Sequence, residues 1–246
     1  MNFLRPLLVS LLAIAPLSGK AKESPAIAPI WELKGENATV FLAGSVHLLR
    51  EEDLPLPSGF DEVYEQSDRV VFELDLAEMS DPTTALAIQQ QGVLPEGESL
   101  SDYFETDTLS AIETFAESLG LPLQIMQRMK PGTIFVTLTS LSAMKQGARP
   151  DLGIETQYYK KALEDGKPTS GLETMEFQMG IFHRISIETL TRLFLEMIEK
   201  QDESCEALEK IIAAWKSGAP SQIVEIIVSE IAEEEEVRKL LLDERN

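Results

Sequence analysis

One cysteine, two histidines, two tryptophans and four tyrosines are all that 246 residues offer of these types. The lone Cys205 cannot close an internal disulfide, so the fold must rest on its core or on a bound ion. It lies in residues 201–208 (QDESCEAL), among carboxylates that raise a thiol pKa, which argues against a nucleophilic role. With only His47 and His183 available, a three-histidine metal site within one chain is excluded. Basic residues are scarce too, 21 against 42 acidic ones. Such a surface repels phosphate backbones and anionic lipid, so nucleic acid is not expected as a partner. Its ordinary consequence is good solvation; it also concentrates cations and basic substrates. The chain has no Gly-x-Ser-x-Gly elbow, no His-Glu-x-x-His helix, no Gly-x-x-x-x-Gly-Lys loop and no Cys-x-x-Cys pair.

Residues 1–21 read as a secretory signal. Arg5 supplies the positive start, residues 6–16 an apolar stretch, and Gly19 and Ala21 the small residues that cleavage needs. The stretch is shorter than the roughly 20 residues of a membrane span, and no later segment is apolar enough, so no stable span is expected. Export to the periplasm or out of the cell follows, and the loss of Arg5 and Lys20 takes the net charge from −21 to −23. Residues 22–28 are polar and form a mobile leader. Residues 29–246 then read as one domain, since no internal repeat or long low-complexity linker divides them.

Within that domain, residues 29–34 (PIWELK) and 38–43 (ATVFLA) alternate or cluster apolar residues around Gly35, Glu36 and Asn37, which predicts a β-hairpin. Residues 69–75 (RVVFELD) give a third strand, and Phe60, Val63 and Tyr64 have helical spacing between them. From Asp81 onward helical patterns dominate. Leu109, Ile112, Ala116 and Leu119 share a face ending at Gly120. Residues 132–146 and 153–165 follow, the latter capped by Asp151 and stopped by Gly166. A short extended segment at 167–172 precedes helices over 174–200, 202–216 and 221–242. The fold class is therefore α/β, with α+β as the alternative: a small central mixed sheet carrying a large helical insertion.

Three extended segments end in chemically useful side chains: the first runs into Gly44-Ser45-Val46-His47, the second into Glu73-Leu74-Asp75, the third into Glu173. Parallel strands of an α/β sheet deliver their carboxyl ends to one edge, where ligands bind, so His47, Glu73 and Glu173 converge if these strands are parallel neighbours. Imidazole and carboxylate suit a divalent transition ion, which polarises a carbonyl and acidifies bound water. Glu73 and Asp75, two apart on a strand, share a face and are both candidate ligands beside His47. Among 42 acidic residues, however, carboxylates at strand ends are weak signals, and a hydrogen-bonded, partly buried His47 is the competing reading. His183 lies within a helical pattern and reads as a packing residue.

Pro29-Ile30-Trp31, Phe41 through Leu48, and Val71-Phe72-Glu73-Leu74-Asp75 together resemble the opening of the TraB/GumN family, in which a first Gly-x-x-His is followed by a strand ending Glu-x-Asp. Asp151-Leu152-Gly153-Ile154-Glu155, Gly166-Lys167-Pro168, Leu172-Glu173-Thr174 and Gln178 are similar to its middle section. Trp215, Gly218 and Glu244-Arg245-Asn246 are similar to its later helical part. The related Tiki proteins are metal-dependent proteases, so the resemblance implies an exported, peptidase-like hydrolase acting on a peptide or small-molecule substrate with a divalent metal ion (manganese, zinc, iron or cobalt). Carried over by position, His47 and Glu73 are the implied metal and catalytic residues, with Glu173 and Arg245 as further catalytic candidates and Asp75 as a further ligand. The family's second Gly-x-x-His would follow Asn246, so a piece of a longer protein, weakly active by itself, is expected. Gly180 to His183 fits the letters but precedes the landmarks. The alternative is a non-catalytic binding or regulatory protein that retains the fold.

Overall fold

The computed structural model describes residues 22–23, 29–79, 81–201, 203–231 and 234–244. The expected signal at 1–21 and Arg245 lie outside the described residues, as does the side chain of Cys205. In chain order the elements are β1 (Lys22–Glu23), β2 (Ile30–Lys34), β3 (Thr39–Ala43), α1 (Gly59–Gln66), β4 (Val70–Leu74), α2 (Leu76–Met79), α3 (Pro82–Gln91), α4 (Thr106–Ser118) and α5 (Leu123–Met126). They continue with α6 (Pro131–Lys145), α7 (Ile154–Asp165), β5 (Thr169–Glu173), α8 (Met175–His183), α9 (Ile187–Glu199), α10 (Glu203–Lys216), α11 (Pro220–Ile231) and α12 (Glu235–Arg238).

The turn at Gly35 folds as the apolar flanks predict. The Gly35 N–H donates to Ala38 O at 2.9 Å, and β2 pairs antiparallel with β3, Trp31 opposite Leu42. β1, which the sequence places in a leader, pairs with Trp31 and Glu32 on the other side of β2. β4 and β5 form a separate parallel pair, Leu74 opposite Glu173. The fold is thus mixed α/β with a dominant helical part, and its strands fall into two small sheets. They are separated because β3 leaves its sheet at Gly44, whose N–H bonds back to Pro29 O at 2.8 Å; the segment beyond it pairs with residues around 149–154 instead of with β4.

Helix boundaries differ from the sequence pattern where polar side chains intervene. α7 begins after Gly153, not Asp151, because the Asp151 carboxylate is held by Arg149 at 2.6 Å. Its far end stops at Gly166, whose φ of 65° is the left-handed cap that glycine adopts without strain. The expected helix over 174–200 is two: α8 ends at His183, and Ser186 starts α9 by accepting the Thr189 N–H at 3.2 Å. The expected helix over 221–242 likewise divides into α11 and α12, the latter running on into a wider turn at Lys239–Asp243.

One continuous core joins the helical part to the strands. Leu190, Leu193, Phe194 and Met197 give α9 its buried stripe, and the Phe194 ring meets Phe104 and Phe135 edge-on at 5.7 and 5.5 Å. Trp215 of α10 is fully buried, 5.4 Å from the Phe60 ring of α1, and its indole N–H donates to Gly44 O at 2.8 Å.

Asp53 is a buried carboxylate in the loop before α1, bound by Arg50 Nε and Lys216 Nζ, each at 3.2 Å. Burial by itself would raise its pKa, but the Arg50 and Lys216 hydrogen bonds and charges outweigh this and hold it below the ordinary 3.8. A depressed folded pKa means stability that is present above the unfolded value and lost as pH falls through the folded one. Asp53→Asn is therefore expected to lose about 1.5–3 kcal/mol at pH 7. In urea melts the gap to wild type should narrow below pH 3.8, and a gap independent of pH would contradict the ion-pair account.

Candidate functional site

The segment 46–49 is fastened to the approach of α7. Ile154 N–H donates to Val46 O at 3.1 Å, and Arg149 N–H to Leu49 O at 2.8 Å. Val46, Leu48 and Leu49 are buried, so this segment is anchored on both sides of His47 while the imidazole keeps about a third of its surface exposed. Gly153 allows the approach: a Cβ there would lie deep inside contact distance of the His47 carbonyl.

That crossing sets His47 beside Glu155, in the first turn of α7. Nδ1 is 2.9 Å from Glu155 Oε2, and the other oxygen of the same carboxylate accepts the Glu73 backbone N–H at 3.2 Å. Glu155 thus ties the histidine loop to β4. The ring's second nitrogen, Nε2, faces Glu73 Oε2 at 3.6 Å, and the Glu73 side chain is 9% exposed. At the end of the neighbouring strand, Glu173 is joined to Glu73 by Gln178, whose side-chain N–H₂ donates to Glu73 Oε1 and to Glu173 Oε2, the latter at 2.9 Å.

Of the residues singled out from the sequence, His47, Glu73 and Glu173 are brought together. Their convergence has a different origin from the one expected: among the described residues only β4 and β5 are parallel neighbours, and His47 arrives from the hairpin sheet. Asp75 lies just past the strand. β4 ends at Leu74, so the strand alternation stops short of it, and its carboxylate accepts the Ala77 N–H at 2.9 Å at the head of α2. His183, at the end of α8, pairs with the Thr133 hydroxyl at 2.8 Å, and burial lowers its pKa, in keeping with a packing role. Glu155 and Gln178 were not among the sequence candidates, although both fall in stretches that carry the family resemblance.

Burial disfavours a charged His47 ring, yet the close contact with Glu155 and the negative charges of Glu155 and Glu73 push its pKa up to about 9. A bound cation would have to take the place of the Nε2 proton. The donor geometry accommodates that exchange. The Nε2 to Oε2 distance of 3.6 Å exceeds a hydrogen bond. Two ligands each about 2.0–2.1 Å from one tetrahedral ion stand about 3.4 Å apart. Nδ1–H on a carboxylate is the partner that fixes a ligating histidine's tautomer. Two donors are fewer than the three or four protein ligands of a zinc site. Among the described residues, no three His, Cys, Asp or Glu side chains are placed to hold one ion.

Two curated relatives resemble the chain, each described only as uncharacterized protein YbaP. The one from Escherichia coli (strain K12) is 21% identical over 184 residues, covering 75% of this chain and 66% of the relative. The one from Shigella flexneri is 21% identical over 179 residues, covering 73% and 64%. The chain therefore spans about two thirds of the length of the curated relatives it matches. No solved structure matches it. The model of the TraB/PrgY/gumN family matches residues 29–246, the whole of the segment in which the hairpin, the histidine loop and both carboxylate-bearing strands lie, and the chain belongs to that family.

Proposed function

We propose that this protein is an exported, metal-dependent hydrolase of peptidase-like character, whose cation is held by Nε2 of His47 and Oε2 of Glu73. The observation that carries the reading is the 3.6 Å gap between those atoms, with the opposite ring nitrogen engaged by Glu155 at 2.9 Å. A divalent ion bound there supplies Lewis acidity, polarising a scissile carbonyl and acidifying water. Glu155 holds the Nδ1 proton, keeps the ring plane aimed at Glu73 and raises the basicity of Nε2. Glu173 stands one amide away from Glu73, joined to it by the Gln178 side chain. The chain's 42 acidic residues against 21 basic ones favour a basic peptide over an acidic one as substrate.

Calorimetric titration of the metal-free protein with zinc and manganese tests the site. Wild type should bind one equivalent, His47→Ala should lose about 100-fold in affinity, and Glu73→Gln at least about tenfold. Equal binding by all three would refute it. A non-catalytic binding protein is the second reading, favoured by the two-donor count among the described residues. Peptide hydrolysis by the metal-loaded protein separates the two. Cation binding with no cleavage of a basic peptide library supports the second.

Export rests on Arg5, the apolar residues that follow it and the small residues Gly19 and Ala21. Intact-mass analysis of protein recovered from the periplasm or medium should give a chain starting near Lys22. A chain retaining Met1 in the membrane fraction would contradict it. Among the described residues no helix is long and apolar enough to cross a membrane.

A further inference from the structure

We infer that Gln178 is a positioning residue, an amide clamp that holds the Glu73 carboxylate against His47 by tying it to Glu173; the inference rests on the cation site proposed above. Glu73 and Glu173 come from adjacent parallel strands at nearly the same height, Leu74 lying opposite Glu173. Gln178 bridges them with a single N–H₂, one donor for each carboxylate, so the position of each is tied to that of the other.

The helix sets the reach. Thr174 caps α8 by accepting the Phe177 N–H at 3.2 Å, and the Gln178 N–H donates to Thr174 O at 3.1 Å, which brings the amide back over the strand ends. Gln178 takes Oε1 of Glu73, and Oε2 of the same carboxylate faces Nε2 of His47 at 3.6 Å. Asparagine would be one methylene short, leucine fills the space without a donor, and glutamate replaces a donor by an acceptor.

Glutamate gives the sharpest test. If charge alone governed the site, Gln178→Glu would add a carboxylate and tighten cation binding. If placement governs it, the third carboxylate drives Glu73 away and binding weakens. Zinc and manganese affinities are to be measured for wild type, Gln178→Leu and Gln178→Glu, with the melting temperature of each metal-free protein. The expected result is a loss of about tenfold to 100-fold in both variants with melting temperatures within about 5 °C of wild type. Unchanged affinity in Gln178→Leu, or tighter binding by Gln178→Glu, would overturn the inference. The ¹⁵N signals of the His47 ring in the metal-free protein supply an independent readout. Gln178→Leu should shift Nε2, which faces Glu73, and leave Nδ1, which faces Glu155, in place. Should wild type bind neither ion, the cation-site reading fails, and the ring signals alone decide the clamp: a selective Nε2 shift upholds it and unchanged signals overturn it.

Discussion

Gly153→Ala is expected to abolish cation binding and to lower stability by about 1–3 kcal/mol, as overpacking does where neighbours cannot move. The φ of −59° at Gly153 is open to any residue, so the cost is not backbone strain. It is crowding. A Cβ would drive into the carbonyl of His47, and relief requires the histidine loop and α7 to separate. That separation breaks the Ile154 to Val46 hydrogen bond of 3.1 Å and draws Glu155 off Nδ1. Gly120→Ala is the comparison: an added Cβ meets nothing within 4 Å there, although its φ of 81° carries its own cost. Both variants should melt lower than wild type, and only Gly153→Ala should lose the ion. If Gly153→Ala binds zinc like wild type, the close crossing does not position His47.

Trp215→Ala should be the most damaging single truncation in the molecule, at about 3–5 kcal/mol, the range for a buried aromatic. The indole does two things at once. Its ring fills the space beside Phe60, and its N–H satisfies the Gly44 carbonyl at the point where the chain leaves β3 for His47. Trp215→Phe separates the two roles, keeping most of the packing while leaving Gly44 O without that donor, at about 1–3 kcal/mol. Denaturant melts give the costs, and zinc titration gives the consequence for the site. Trp215→Phe should weaken binding while the protein remains folded. If it matches wild type in both, the hydrogen bond to Gly44 has no part in holding the histidine loop.

The hairpin and the strand at Val70–Leu74 were legible because apolar, β-branched and aromatic residues cluster there between turn-forming ones. The buried stripe of α9 was legible for the same kind of reason, period 3.6 replacing period 2. The break before it was not, because Ile181, Ile185 and Leu190 are all buried and keep an apolar run going across a change of direction. Ser186 held the missing signal, as an N-cap inside an apparently continuous helix. At the site, His47 stood out as one of two histidines. Glu155 did not, being one of 42 acidic residues in a helical first turn where carboxylates are commonplace. Gln178 carries no charge, and its role depends on a strand pairing that joins residues about a hundred positions apart. Asp75 lies where the strand pattern no longer applies. Period-2 alternation assigned it to the face of Glu73, but the strand ended one residue too soon.

The central claim is that Nε2 of His47 and Oε2 of Glu73 share one divalent cation. The most direct measurement is a crystal of the protein grown with zinc, with the ion located by its anomalous scattering. The account predicts a single strong peak between the two side chains, about 2.0–2.2 Å from both atoms, with Nδ1 still on Glu155 and Gln178 still bridging Glu73 to Glu173. A peak bound elsewhere, with Nε2 of His47 remaining 3.6 Å from Glu73 and touching no ion, would contradict it.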